Sequence, residues 1–142
     1  MKGQRKLKVI EALKGKKVAQ VSAGSDYSMV RAESGDVFSF GGGRFGRLGH
    51  GDQKSQLLPK LVEALRGKKV VQVAAGGNHS LVLVESGDVF SFGMGVYGAL
   101  GHGDGVPPPA GAAGGPVLRH VRAEREEGET PRWVPDECLM SA

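Results

Sequence analysis

The chain has one cysteine and one tryptophan among 142 residues. A lone thiol, Cys138, excludes an internal disulfide framework and any cysteine-rich zinc site, and it fits a reducing compartment. No apolar run approaches the roughly 20 residues that span a bilayer. The basic start, MKGQRKLKVIEALKGKKV, lacks the uninterrupted apolar core of a secretory signal. The expected setting is therefore intracellular, cytoplasmic or nuclear, with no membrane partner. The net charge of +4 is modest, but seven lysines and arginines between Lys2 and Lys17 face a single acid, Glu11. Such a run can attract chromatin, nucleic acid or an acidic protein surface.

What is present is one unit, twice. Residues 8–52, KVIEALKGKKVAQVSAGSDYSMVRAESGDVFSFGGGRFGRLGHGD, return 52 positions later as KLVEALRGKKVVQVAAGGNHSLVLVESGDVFSFGMGVYGALGHGD, with 30 of 45 positions identical. The period lies just above the kelch end, about 50 residues, of the known repeat lengths. One such unit cannot usually bury its apolar face alone. Function is therefore sought in a repeated scaffold before a single active site. Glycine is abundant, and its recurrence at matching positions marks turns rather than low complexity.

Each copy predicts an antiparallel meander. In KKVVQVAAG, Val71 and Val73 fall on one side of an extended segment. HSLVLVES follows, and ESGD holds the residues that a tight reversal needs. DVFSFG then alternates Phe90 and Phe92 against Val89, Ser91 and Gly93, a period of two. LLPKLVEALRG is ambiguous. Its spacing and Gly67 suit a short helix, whereas as a strand it completes a four-stranded unit. The glycine-rich connectors are expected to be anchored by Leu48 and Leu100. After Asp104 the sequence turns to GVPPPAGAAGGP, which reads as a linker, and then to a charged stretch expected to be disordered.

Catalytic motifs fail on physical grounds. G-x-G-x-x-G occurs as GGGRFG and GMGVYG, but RLGHGD and ALGHGD follow and cannot start the helix a phosphate needs. His50 with Asp52, and His102 with Asp104, give too few ligands for a metal; turn stabilisation is expected instead. His79 has Tyr27 as its counterpart, which argues against acid–base work. Ser80, His79 and Asp88 lack a nucleophile elbow. No enzyme activity, cofactor or metal is expected.

The spacing V-x-x-V-A-A-G-x-x-H-S, then ESGDVFSFG, then YGALGHGD, resembles the repeat of the regulator of chromosome condensation family. The positions that carry the likeness include Gly76, His79, Ser80, Gly87, Val89, Phe92, Gly93, Gly98, Leu100 and Gly101. The resemblance implies an all-β fold: a partial β-propeller of about two four-stranded antiparallel blades with a disordered C-terminal tail. It also makes PKLVEAL the first strand of a blade. The expected division is a basic segment 1–7, a first blade 8–56, a second blade 57–104 and a tail 105–142. Family rings usually have seven blades, and closure takes at least about four. The chain is thus expected to be part of a larger propeller, or to close a ring as a homo-oligomer.

In a propeller, equivalent turns project on one face. Lys16, Lys17, Lys68 and Lys69 would then form a basic strip for an acidic protein or nucleic acid. Positions that vary between the copies point to a second set, Arg44, Phe45, Arg47 and Tyr97, as outward interface anchors. The leading reading is a non-catalytic protein–protein interaction module. The alternative implied by the family is guanine-nucleotide exchange on a Ran-like small GTPase, with chromatin association. Photoreception, known in the family through clustered tryptophans, is disfavoured, since Gly42 and Met94 stand where repeats often carry G-W-G. A substrate-recognition segment of a large ubiquitin ligase would require further domains.

Overall fold

A computed structural model describes residues 3–103 together with two strands at 119–124 and 132–135. The first sheet contains β1 (Val18–Ala23), β2 (Tyr27–Ala32), β3 (Val37–Gly41) and β4 (Gln56–Leu61), hydrogen-bonded in that order. The second contains β5 (Val70–Ala75), β6 (His79–Val84), β7 (Asp88–Gly93), β8 (Arg119–Glu124) and β9 (Arg132–Pro135), again in order. All pairings are antiparallel. The all-β, two-sheet partial propeller expected from the repeat is the fold.

The meander follows from local chemistry. Ser34 and Ser86 each donate a side-chain hydrogen bond to the aspartate two residues on, at 3.1 and 2.9 Å. Gly35 and Gly87, at φ +91° and +93°, take the left-handed step that closes the reversal. The expectation for Val71 is corrected. A bulge between Val70 and Gln72 shifts the register, so Val70 and Val73 enter the core while Val71 stays 41% exposed. An extra residue in one strand reverses the faces beyond it.

The ambiguous segment divides. Gln56–Leu61 is a strand, and Glu63–Leu65 is a single 3-10 turn. Pro59, which has no N–H to donate, is tolerated because β4 is an edge strand. Val62 and Leu65 beyond it are fully buried. β4 pairs with β3 through Phe38↔Leu61 and Ser39↔Lys60, so it completes the first sheet. The boundary at 56/57 is thus corrected: the strand that opens the second sequence repeat finishes the first blade.

The expectation of a disordered tail also changes in part. Arg119–Glu124 and Arg132–Pro135 extend the second sheet, with Phe90↔His120 and Asp88↔Arg122 in register. An open strand edge accepts any extended segment that can reach it, and β8 takes on β7 the place that β4 takes on β3. The rest of the tail lies outside the described residues. The core joins the sheets: Tyr27, Met29, Val37 and Leu48 pack with Val62, Leu65, Val70, Val73, Val82 and Phe92.

Candidate interaction surfaces and the joint between the sheets

The two sheets are stitched by side chains of the first reading the backbone of the second. Gln20 Nε2 donates to the Val73 carbonyl at 2.9 Å, and its Oε1 accepts from the Val73 N–H at 3.0 Å. Ser22 Oγ accepts from the Ala75 N–H at 2.9 Å. β5 would otherwise present unpaired backbone groups along this edge. The Tyr27 hydroxyl donates to the His79 carbonyl, accepts from the Gly76 N–H at 3.0 Å and lies 2.9 Å from Ser80 Oγ.

Arg47 is part of this joint, which corrects its assignment to an outward surface. It is 2% exposed. Its guanidinium donates to the carbonyls of Gly42 and Gly77, each at 2.8 Å, and to Asn78 Oδ1 at 3.2 Å. It also lies 4.9 Å from the centre of the Tyr27 ring. Asp26 stands 3.8 Å away, largely exposed. A planar fork with five donors can satisfy several fixed acceptors at once. The Arg47 carbonyl accepts from Ser80 Oγ at 2.8 Å, so this one residue ties the first loop to the second sheet twice.

The connectors are latched by histidine. Ser39 Oγ lies 2.7 Å from the Leu48 carbonyl and 2.8 Å from His50 Nε2. The serine has one proton, and the carbonyl can only accept it. Ser39 therefore accepts from His50, which fixes the Nε2–H tautomer. Ser91, Leu100 and His102 repeat the arrangement at 2.7 and 2.8 Å. Burial, and then the nearby Lys60 charge, hold the His50 pKa below its usual value, against smaller opposing effects of Asp52 and Ser39. Asp52 itself accepts from the Lys54 N–H at 3.0 Å. His50 and Asp52 are thus turn stabilisers, as expected, and His102 repeats the role of His50, while Asp104 lies outside the described residues. Among the described residues no cluster of three metal-ligating side chains occurs, and no helix is long and apolar enough to cross a membrane.

The remaining candidates separate into two groups at opposite ends of the strands. Lys16 and Lys17 precede β1, and Lys68 and Lys69 precede β5. Lys16 and Lys68 each cap a phenylalanine ring, Phe38 and Phe90, at 5.0 Å. Lys69 pairs with Glu85 at 3.4 Å. The two lysine turns are not directly side by side. The Ser34–Gly35 reversal lies between them: a Cβ on Gly35 would come within 3.4 Å of Lys69 Cα. Glu33 and Asp36 flank that reversal, so acids interrupt the basic strip.

Arg44, Phe45 and Tyr97 follow β3 and β7, at the far ends of those strands. Phe45 and Tyr97 are the two described non-glycine residues with positive φ, at 61° and 58°. Arg44 is exposed and stacks 5.4 Å from the Phe45 ring, which is half-buried. Tyr97 is 98% exposed. The left-handed conformation costs a side chain with a Cβ roughly 1–2 kcal/mol, and here it is built twice.

The joint itself was missed in the sequence. Gln20 is retained as Gln72, but Ser22, Tyr27 and Arg47 become Ala74, His79 and Ala99. That set of differences was the available signal: the residues that vary between copies include those that bond to the neighbour.

The regulator of chromosome condensation (RCC1) repeat matches residues 34–83 and, in a second description of the same repeat, residues 18–47 and 70–99. The human E3 ubiquitin-protein ligase HERC2 is 46% identical over 106 residues, which are 72% of this chain and 2% of the ligase. Human WBSCR16 superposes with a TM-score of 0.59 at 30% identity, over 66% of this chain and 25% of that one. Prp20p of Saccharomyces cerevisiae gives 0.57 at 25% identity, over the same shares of each chain. The chain thus spans a small part of the proteins it matches. With its repeat sequence, strand order and glycine turns in agreement, it belongs to the regulator of chromosome condensation repeat family.

Proposed function

We propose that the chain is a non-catalytic protein–protein interaction module of an intracellular protein, and that it works as part of a larger propeller. The observation that carries this reading is the pair Phe45 and Tyr97. Each occupies an equivalent loop in an unfavourable backbone conformation, and Tyr97 has almost no contact with its own chain. Strained backbone tends to gather at functional loops, and exposed aromatic and arginine side chains serve as interface anchors. Arg44, Phe45 and Tyr97 form the primary contact set. Lys16, Lys17, Lys68 and Lys69 form a second, weaker one at the other end. The test is affinity capture with Tyr97→Ala and Arg44→Ala beside the unaltered protein. Loss of a specific bound protein at unchanged thermal stability supports the reading; identical capture by all three proteins removes it.

The second reading is nucleotide exchange on a Ran-like GTPase with chromatin association. It is favoured by the likeness to Prp20p, a protein whose binding to Gsp1p and histones is described. Accelerated release of labelled GDP from such a GTPase would establish it, and an unchanged release rate would leave the interaction module alone.

A further inference from the structure

We propose that Arg31 anchors an acid-binding site at the lysine-turn end of the joint, and that it takes a carboxylate side chain of a partner protein. Arg31 stands in β2 opposite Gln20 of β1 and Val37 of β3. Residues directly opposite in antiparallel strands share a face. Gln20 bonds to β5, and Val37 is fully buried in the core between the sheets, so Arg31 faces the second sheet. The reversal just beyond it lies against the start of β5: a Cβ on Gly35 would come within 3.4 Å of Lys69 Cα and of the Val70 nitrogen. Arg31 is therefore at the end of the joint where the lysine turns are.

An arginine is out of place there. Arg31 is half-buried, and its Nε is covered by protein with no hydrogen-bond partner. Its guanidinium forms no ion pair among the described residues. A covered N–H without an acceptor costs free energy. Arg47, by contrast, meets its acceptors within the fold. The strand does not require arginine at this place. Leu83 holds the equivalent position in β6, opposite Gln72 and Val89. A charged group left unsatisfied where leucine serves is a cost to folding that binding can recover.

Shape and charge select the ligand. The Nε–H of arginine and one terminal N–H point the same way and match the two oxygens of a carboxylate. The terminal nitrogens of Arg31 are not among the covered atoms, so an incoming carboxylate meets them first and reaches Nε by a swing of the side chain. Glu33 and Asp36 flank the reversal, and they repel a phosphate dianion more than a singly charged carboxylate. Lys17 and Lys68, neither of them ion-paired, add attraction over a longer range. The occupant is thus an aspartate or glutamate on an exposed segment of a partner protein. This rests on the reading of the lysine end as a contact surface and adds the residue that selects the partner.

A fluorescent hexaglutamate peptide, titrated into the full chain at low salt and read by anisotropy, tests this. Arg31→Leu should weaken binding about tenfold or more, and Arg31→Lys should recover little, because an ammonium lacks the paired donors. Arg31→Leu should melt at or above the temperature of the unaltered protein, so lost binding is not lost folding. In nuclear magnetic resonance the Arg31 Nε–H signal should move as the peptide is added. Equal binding by the three proteins, an unmoved Nε–H signal or a lower melting temperature for Arg31→Leu overturns the proposal. Displacement of the peptide by inorganic phosphate at a lower concentration than by acetate overturns the choice of a carboxylate. Serine at Lys16, Lys17, Lys68 and Lys69 separates this site from the surface around it. If that variant loses binding while Arg31→Leu keeps it, the contact surface stands and the Arg31 site falls.

Discussion

The side chain of Gln20 and the backbone of Val73 form a two-bond pair, at 2.9 and 3.0 Å, in which an amide side chain stands in for a neighbouring strand. Gln20→Ala leaves an N–H and a carbonyl of β5 without their partner. A loss of about 1–3 kcal/mol is expected in urea unfolding. Gln72→Ala, at the equivalent exposed position, should change stability by less than about 0.5 kcal/mol. Equal effects would show that the pair does not hold the joint.

Arg47→Ala strips donors from the carbonyls of Gly42 and Gly77 and removes the cation over Tyr27. It should cost about 3 kcal/mol or more, since several polar partners are orphaned together. Arg47→Lys should recover little, because an ammonium cannot span acceptors held around a planar fork. Differential scanning calorimetry of the three proteins decides it.

Tyr97→Gly relieves the positive φ and removes the exposed ring. Stability should rise by up to about 1 kcal/mol, while binding of the captured partner falls. A loss of stability would mean that the ring packs against the fold and is not held out for a partner.

His50 gives a sign for pH dependence. Its folded pKa is lowered, chiefly by burial, so below the unfolded value near 6.5 the unfolded chain binds more protons. The stability of the neutral, latched form is complete above that value. It drains away as pH falls through 6.5 towards the folded pKa. Thermal midpoints from pH 8 to pH 5 should show this slope, and His50→Gln should flatten it. An identical slope in the variant would assign the effect elsewhere.

Replacing Lys16, Lys17, Lys68 and Lys69 with serine should weaken salt-sensitive binding to acidic proteins or DNA. The effect should be modest, because Lys69 is paired with Glu85 and acids flank the Ser34–Gly35 reversal. Unchanged salt dependence would leave the first residues of the chain as the source of any such binding.

The sheets were legible in the sequence because their rules are local. Alternation in DVFSFG and the chemistry of ESGD describe three strands, and the repeat supplies the fourth. The latch of His50 was legible as a turn device. Two features needed three dimensions. The bulge that turns Val71 outward depends on pairing with β6, which no pattern within β5 records. Arg47 looked like a surface residue because it differs between copies and arginine is usually exposed. Its burial depends on the carbonyls of Gly42, five residues away, and of Gly77, thirty residues away. Variation between repeats marked the joint as well as the surface, and sequence alone does not separate the two.

Because β4 opens one repeat and finishes the previous sheet, each repeat delivers its predecessor's last strand. A chain cut at Asp52 would keep all of its first copy and still lack a quarter of its first sheet. A whole unit added by gene duplication would instead arrive with the means to finish its neighbour. The added unit would in turn leave its own sheet one strand short, to be finished by whatever segment follows it, as Arg119–Glu124 finishes the second sheet here.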